Sequence, residues 1–168
     1  VTIAAWASSS AGTPDDMLWC VRGGNPGPDL FYYSGSIYLN TWDGGGNPFC
    51  AQPSPMSQMR QYVTVISSGR TELYIDGRRA GTAGYRDTTA SPFYISSAAG
   101  YDWQGIIDEF SLSRVARASN WVYACYLNQA SNSVFCNYGT VGVQSKPVIH
   151  NHTPTNITTT SAWLNGHL

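Results

Sequence analysis

Adjacent carboxylates at Asp108 and Glu109, within Gln104-Gly-Ile-Ile-Asp-Glu-Phe-Ser-Leu-Ser113, are the first side chains here with a type suited to chemistry. Cleaving a glycosidic bond takes two carboxyl groups on one face, near enough to flank the bond. Consecutive strand residues project to opposite faces, and no Glu-x-Asp-x-x-Glu spacing occurs, so this pair is not expected to serve as acid and nucleophile. Ser/His/Asp chemistry is no better supplied, because His150, His152 and His167 all lie in the C-terminal tail. Nor is a zinc site expected: Cys20, Cys50, Cys125 and Cys136 form no Cys-x-x-Cys unit and have no histidine near them.

Binding chemistry is better represented. Trp42-Asp43 with Asn47, and Tyr101-Asp102-Trp103, set rings beside small polar residues in stretches that read as loops. A sugar presents apolar faces to rings and hydroxyls to polar side chains, so Trp42, Asp43, Asn47, Tyr101 and Trp103 are candidate ligand contacts. Tyr33 and Tyr38 would project from one sheet face beside them. The competing use of such rings is core packing, to which Trp6, Trp19 and Trp121 are assigned.

These residues need strands to hold them. Read as a strand, Gln104 to Ser113 places Ile106, Asp108, Phe110 and Leu112 on one face and Glu109 on the other. Asp108 would then face the core, where backbone N–H groups, an arginine or a cation must satisfy it. Further strands read at Val1 to Ala7, Met17 to Val21, Leu30 to Tyr33, Ser36 to Trp42, Tyr62 to Ile66, Leu73 to Ile75, Arg78 to Thr82, and Phe93 to Ser97. Ser34-Gly35 and Asp76-Gly77 are hairpin turns, and Gly and Pro keep Arg22 to Asp29 as a loop. Ala118 to Asn128 reads as one short helix with Ser119 or Asn120 as N-cap, and Phe135 to Gly142 as a last strand.

Composition sets the bounds. With 168 residues the chain holds one domain plus an appendage. Charged residues are only 11%, net charge is −1 and no basic run exists, so nucleic acid is not an expected partner. No apolar run reaches membrane-span length, and the chain reads as a piece of a longer one. Four cysteines allow three pairings; Cys20 with Cys50 and Cys125 with Cys136 would close short loops, an arrangement suited to an oxidising setting, and buried thiols are the alternative. From Val143 the chain turns polar and carries the glycosylation-type triplets Asn151-His-Thr and Asn156-Ile-Thr.

Three motifs in order, Val1-Thr-Ile-Ala-Ala-Trp6, Thr71-Glu-Leu-Tyr-Ile-Asp-Gly77 and Gly105-Ile-Ile-Asp-Glu-Phe110, followed by Ser113-Arg-Val-Ala-Arg117 and a helix with Trp121 and Tyr126, resemble a laminin-G-like domain. The resemblance runs from about Val1 to Gly139 and belongs to the concanavalin A-like jelly-roll superfamily. Asn120 to Gln129 is similar to the version found in large bacterial surface or secreted proteins.

The resemblance implies an all-β, antiparallel two-sheet β-sandwich (jelly roll) with one short helix near the C-terminal end. It implies a jelly-roll domain over residues 1–142. Residues 143–168 would be a linker or extension that completes the sandwich or opens a following domain. It further implies a structural Ca²⁺ at Asp108, with hydrogen bonding alone as the alternative. The expected role is a non-catalytic carbohydrate-binding or adhesion module of a larger extracellular, secreted or cell-surface bacterial protein, with a glycan or polysaccharide as partner and no membrane insertion. A structural spacer or protein-interaction domain is the alternative, and a glycoside hydrolase a third reading.

Overall fold

A computed structural model describes residues 1–9, 16–23, 25–40, 49–53, 57–84, 92–98, 100–135, 150–155, 158–160 and 163–167. Trp42, Asp43, Asn47 and Cys136 lie outside them. The chain divides into two units, Val1–Cys136 and Asn137–Leu168.

The first unit is a two-sheet antiparallel sandwich. One sheet has the order β12-β1-β6-β7-β8, from β1 (Thr2–Ser9), β6 (Arg60–Ser67), β7 (Arg70–Ile75), β8 (Arg78–Gly84) and β12 (Gly105–Ser113). The other has the order β5-β4-β3-β2-β9, from β2 (Asp16–Gly23), β3 (Asn25–Tyr33), β4 (Ser36–Asn40), β5 (Phe49–Pro53) and β9 (Phe93–Ile95). Alternation decides which residues meet between them. Ile3, Ala5 and Ala7 of β1, Tyr62 of β6, and Leu73 and Ile75 of β7 face Trp19, Leu30, Ile37 and Leu39 of the second sheet in one buried cluster.

The hairpin at Ser34-Gly35 and the meander through Asp76-Gly77 form as their turn residues dictate, with positive φ at all four positions. Between Arg22 and Asp29 the chain is more regular than its Gly and Pro suggest: β2 and β3 continue, pairing Arg22 with Pro26 and Gly23 with Asn25. Register shifts on either side of Trp19 and Cys20 absorb the misfit.

Helix α1 (Ser119–Ala130) covers part of the outer face of the first sheet. Its buried Val122 packs on Val63, Val65 and Tyr74, the outward residues of β6 and β7. The N-cap is Ala118, ahead of the expected Ser119 or Asn120, and no side chain caps the helix. Trp121 is not in the core: it is 37% exposed, with the Arg117 guanidinium 4.8 Å above its ring. Phe135 closes a four-residue helix, α2 (Asn132–Phe135), where a last strand was expected to begin; residues 136–142 lie outside the described ones.

The second unit contains an antiparallel ribbon of β13 (His150–Thr155) and β14 (Trp163–His167), pairing His150 with His167 and Thr155 with Trp163.

Candidate functional site

The site begins with an extra residue in β12. Ala4 pairs with Ser111 and Trp6 with Asp108, so Glu109 and Phe110 together oppose Ala5. Glu109 takes the left-handed conformation, φ +49°, and the phase of alternation changes there. Ile107 and Phe110 pack on the core, while Ile106 and Asp108 turn outward with their partners Ser8 and Trp6. Asp108 is therefore solvent-facing, not core-facing as unbroken alternation required. A left-handed residue costs about 1–2 kcal/mol, less than burying an unpaired carboxylate.

The bulge also brings Asp108 and Glu109 to the same cleft, contrary to the opposite-face expectation. This cleft, of about 810 Å³, lies between the outer face of the first sheet and the C-terminal half of α1. Trp6 and Tyr126 form its aromatic wall, stacked at 6.0 Å between centroids with planes 16° apart. The Trp6 indole N–H donates to Gln129 Oε1 at 2.6 Å, and Gln61 Nε2 donates to the same oxygen at 3.2 Å. Across the cleft Arg60 and Asp76 form an ion pair at 2.7 Å, and Asp76 Oδ1 accepts the Gln61 backbone N–H at 3.0 Å. Asp108 Oδ1 accepts the Glu109 backbone N–H at 2.8 Å. Gln58 and Glu109 complete the polar lining, both exposed. Apart from Asp108 and Glu109, the sequence reading singled out none of these groups as site residues. The signal that could have found them is the outward phase of Trp6 on β1.

Calcium takes six to eight oxygen ligands. Among the described residues no group of three His, Cys, Asp or Glu side chains is placed to hold a metal ion, and Asp108 is the one carboxylate named for a Ca²⁺.

The other expected contacts separate. Trp103 is a core residue, 7% exposed, with its indole N–H donating to the Ser8 carbonyl at 3.2 Å; its rings are spent on packing, not left for a ligand. Tyr101, 40% exposed, stands on a short ribbon of β10 (Ser97–Ala98) and β11 (Tyr101–Asp102). On the outer face of the second sheet Phe31, Tyr38 and Tyr33 form a row, with Phe31–Tyr38 centroids at 5.1 Å and Tyr33–Tyr38 at 6.2 Å, so Tyr33 and Tyr38 do share a face.

Cys20 and Cys50 are not bridged. Cys20 packs with Met17 and Phe31 outside the second sheet, whereas Cys50 joins the core between the sheets. Their strands, β2 and β5, stand three steps apart, about 14 Å at ordinary strand spacing, against the roughly 7 Å a disulfide spans. Cys125 carries a free thiol on α1, and burial pushes its pKa up.

Similarity to known proteins follows the fold. No curated protein sequence matches the chain. The CBM40 of the Ruminococcus gnavus IT-sialidase, solved bound to α2,3-sialyllactose, superposes with a TM-score of 0.61 at 14% identity over 74% of this chain and 81% of that one. Domain 4 of AbnA, a GH43 extracellular arabinanase from Geobacillus stearothermophilus in complex with arabinotriose, gives 0.59 at 16% identity over 73% and 64%. The binding domain of botulinum neurotoxin DC in complex with rat synaptotagmin II gives 0.55 at 11% over 74% and 34%, so this chain spans about a third of that one. At such identities the likeness establishes the fold alone. Residues 1–123 match the laminin-G-type family model described as the concanavalin A-like lectin/glucanases superfamily, and the chain belongs to that superfamily.

Proposed function

We propose that this domain is a non-catalytic carbohydrate-binding module of a larger extracellular protein, and that the cleft beside α1 is its saccharide site. The observation that carries the reading is the make-up of that cleft: Trp6 and Tyr126 supply aromatic surface, and Gln58, Asp108 and Glu109 supply the acceptors and donors that sugar hydroxyls pair with. The carbohydrate complexes of the sialidase CBM40 and of the arabinanase domain, on the same fold, support it.

Binding is favoured over hydrolysis because the cleft's carboxylates are committed or adjacent. Asp76 is held by Arg60 and the Gln61 N–H, which leaves the consecutive Asp108 and Glu109, both exposed. An assay for reducing-sugar release from a polysaccharide panel should show none above background; release abolished by Asp108→Ala would make the protein a glycosidase. In titration with a saccharide that the wild type binds, Gln58→Ala and Glu109→Gln should each weaken affinity about tenfold, the worth of one well-placed hydrogen bond to a charged or desolvated group. Unchanged affinity in both would remove the cleft as the site.

A protein partner is the second reading, favoured by β12. Ile106 and Leu112 on this edge strand, and Val115 beyond it, are 60, 57 and 55% exposed. Loss of partner capture on Ile106→Ser and Leu112→Ser, with saccharide affinity intact, would establish that second role.

A further inference from the structure

A second cavity, of about 530 Å³, lies on the outer face of the first sheet at the N-terminal end of α1, opposite the end that borders the cleft. Three guanidinium groups surround it, from Arg70, Arg79 and Arg117, with a single carboxylate, Glu72. Arg70 and Arg79 each reach the same Glu72 oxygen, Oε1, at 3.3 Å, and the Tyr74 hydroxyl donates to Oε2 at 3.2 Å. The Glu72 side chain is only 8% exposed, whereas those of Arg70 and Arg79 remain 60% and 57% exposed. Three positive groups against one negative leave a formal excess of two positive charges.

Arg117 adds an enclosed Nε without a hydrogen-bond partner, and its guanidinium is oriented by stacking over Trp121. The start of α1 adds to the same field. Ala118 offers no side chain to the first-turn amides, no acidic residue occupies that turn, and Ser119 borders the cavity. Neutralising Glu72 needs one arginine, and among the described residues that line the cavity there is no second carboxylate.

We propose that this cavity receives the oxyanion, carboxylate or sulfate, of an acidic saccharide. The inference rests on the carbohydrate-binding reading and names the class of sugar. Planar guanidinium forks pair with either oxyanion through two parallel N–H bonds, and the exposed Ser119 stands beside them for the sugar's own hydroxyls.

The test is isothermal titration of the whole chain with tetragalacturonate, a heparin-derived tetrasaccharide and neutral cellotetraose, with sodium sulfate as a competitor. Tetragalacturonate carries carboxylates alone and the heparin fragment carries both groups, so binding of the second without the first assigns sulfate. At least one acidic saccharide should bind about tenfold or more tightly than cellotetraose, with the advantage shrinking as salt rises. Arg79→Gln and Arg117→Gln should each weaken the acidic saccharide about tenfold and leave the neutral one unchanged. Arg79 is exposed and replaceable without touching the core. Glu72→Gln, which keeps an acceptor for Tyr74 but removes the internal competitor, should strengthen acidic binding; a merely structural role for the arginines gives no such gain.

Equal affinity for acidic and neutral saccharides, or full affinity in both arginine variants, would overturn the inference while a Gln58→Ala effect kept the saccharide reading in place. Binding of inorganic sulfate with no saccharide bound would overturn both.

Discussion

At Gly77 the backbone has φ +73°, and an added Cβ would lie 2.8 Å from the Cβ of Tyr126. The Asp76-Gly77 turn is thus one of the places where the sheet touches α1, and no larger residue fits there. Gly77→Ala combines a left-handed alanine with overpacking and should cost about 2–3 kcal/mol, read from the urea midpoint; a shift below about 0.5 kcal/mol would mean that the helix is not seated there. Cys125 gives a second residue-scale test. Its raised pKa leaves less thiolate at neutral pH, so iodoacetamide should label it at least about tenfold more slowly in the native protein than in urea, followed by mass spectrometry. Equal rates would contradict its burial. The two carboxylates mark the limit of reading at this scale. Alternation correctly identifies a strand over Gln104 to Ser113, yet a single left-handed residue at Glu109, where no glycine advertises it, reverses the facing of Asp108. Trp6 and Trp121 escaped for a related reason, since bulky rings on an outer sheet face or an exposed helix turn carry the same letters as core rings.

Among elements, α1 owes its place to packing more than to capping. It has no side-chain cap and no acidic first turn, and Val122 is its fully buried side chain among Val63, Val65 and Tyr74. Val122→Ala should therefore cost about 2 kcal/mol, near the worth of burying a valine. It should also lower the affinity of any ligand of the cleft, whose wall includes Tyr126 and Gln129 of the same helix. A stability loss with ligand affinity unchanged would detach the site from the helix. The hairpins were legible because Ser34-Gly35 and Asp76-Gly77 supply the positive φ their turns demand. The outcome at Cys20 and Cys50 was not legible. Loop length suggested a bridge, but bulges in β2 set Cys20 on the outer face while Cys50 keeps the inward phase of Leu39 beside it.

Over the whole molecule, the period-two pattern and turn spacing suffice to give a sandwich, because the inward residues of β1, β6, β7, β3 and β4 are mostly apolar, with Thr64 and Thr71 as buried exceptions. The candidate site is harder to read, since it draws on Trp6, Gln58, Asp76, Asp108 and Tyr126, which only strand order and the helix crossing bring together. Saccharide binding by this domain at the cleft beside α1 is what we propose. The most direct measurement is a glycan array probed with the folded chain, its hits repeated with Gln58→Ala and Glu109→Gln. The result expected is a defined set of glycans bound by the wild type and lost or much weakened in both variants. A blank array with a protein shown to melt cooperatively, or hits retained by both variants, would contradict it.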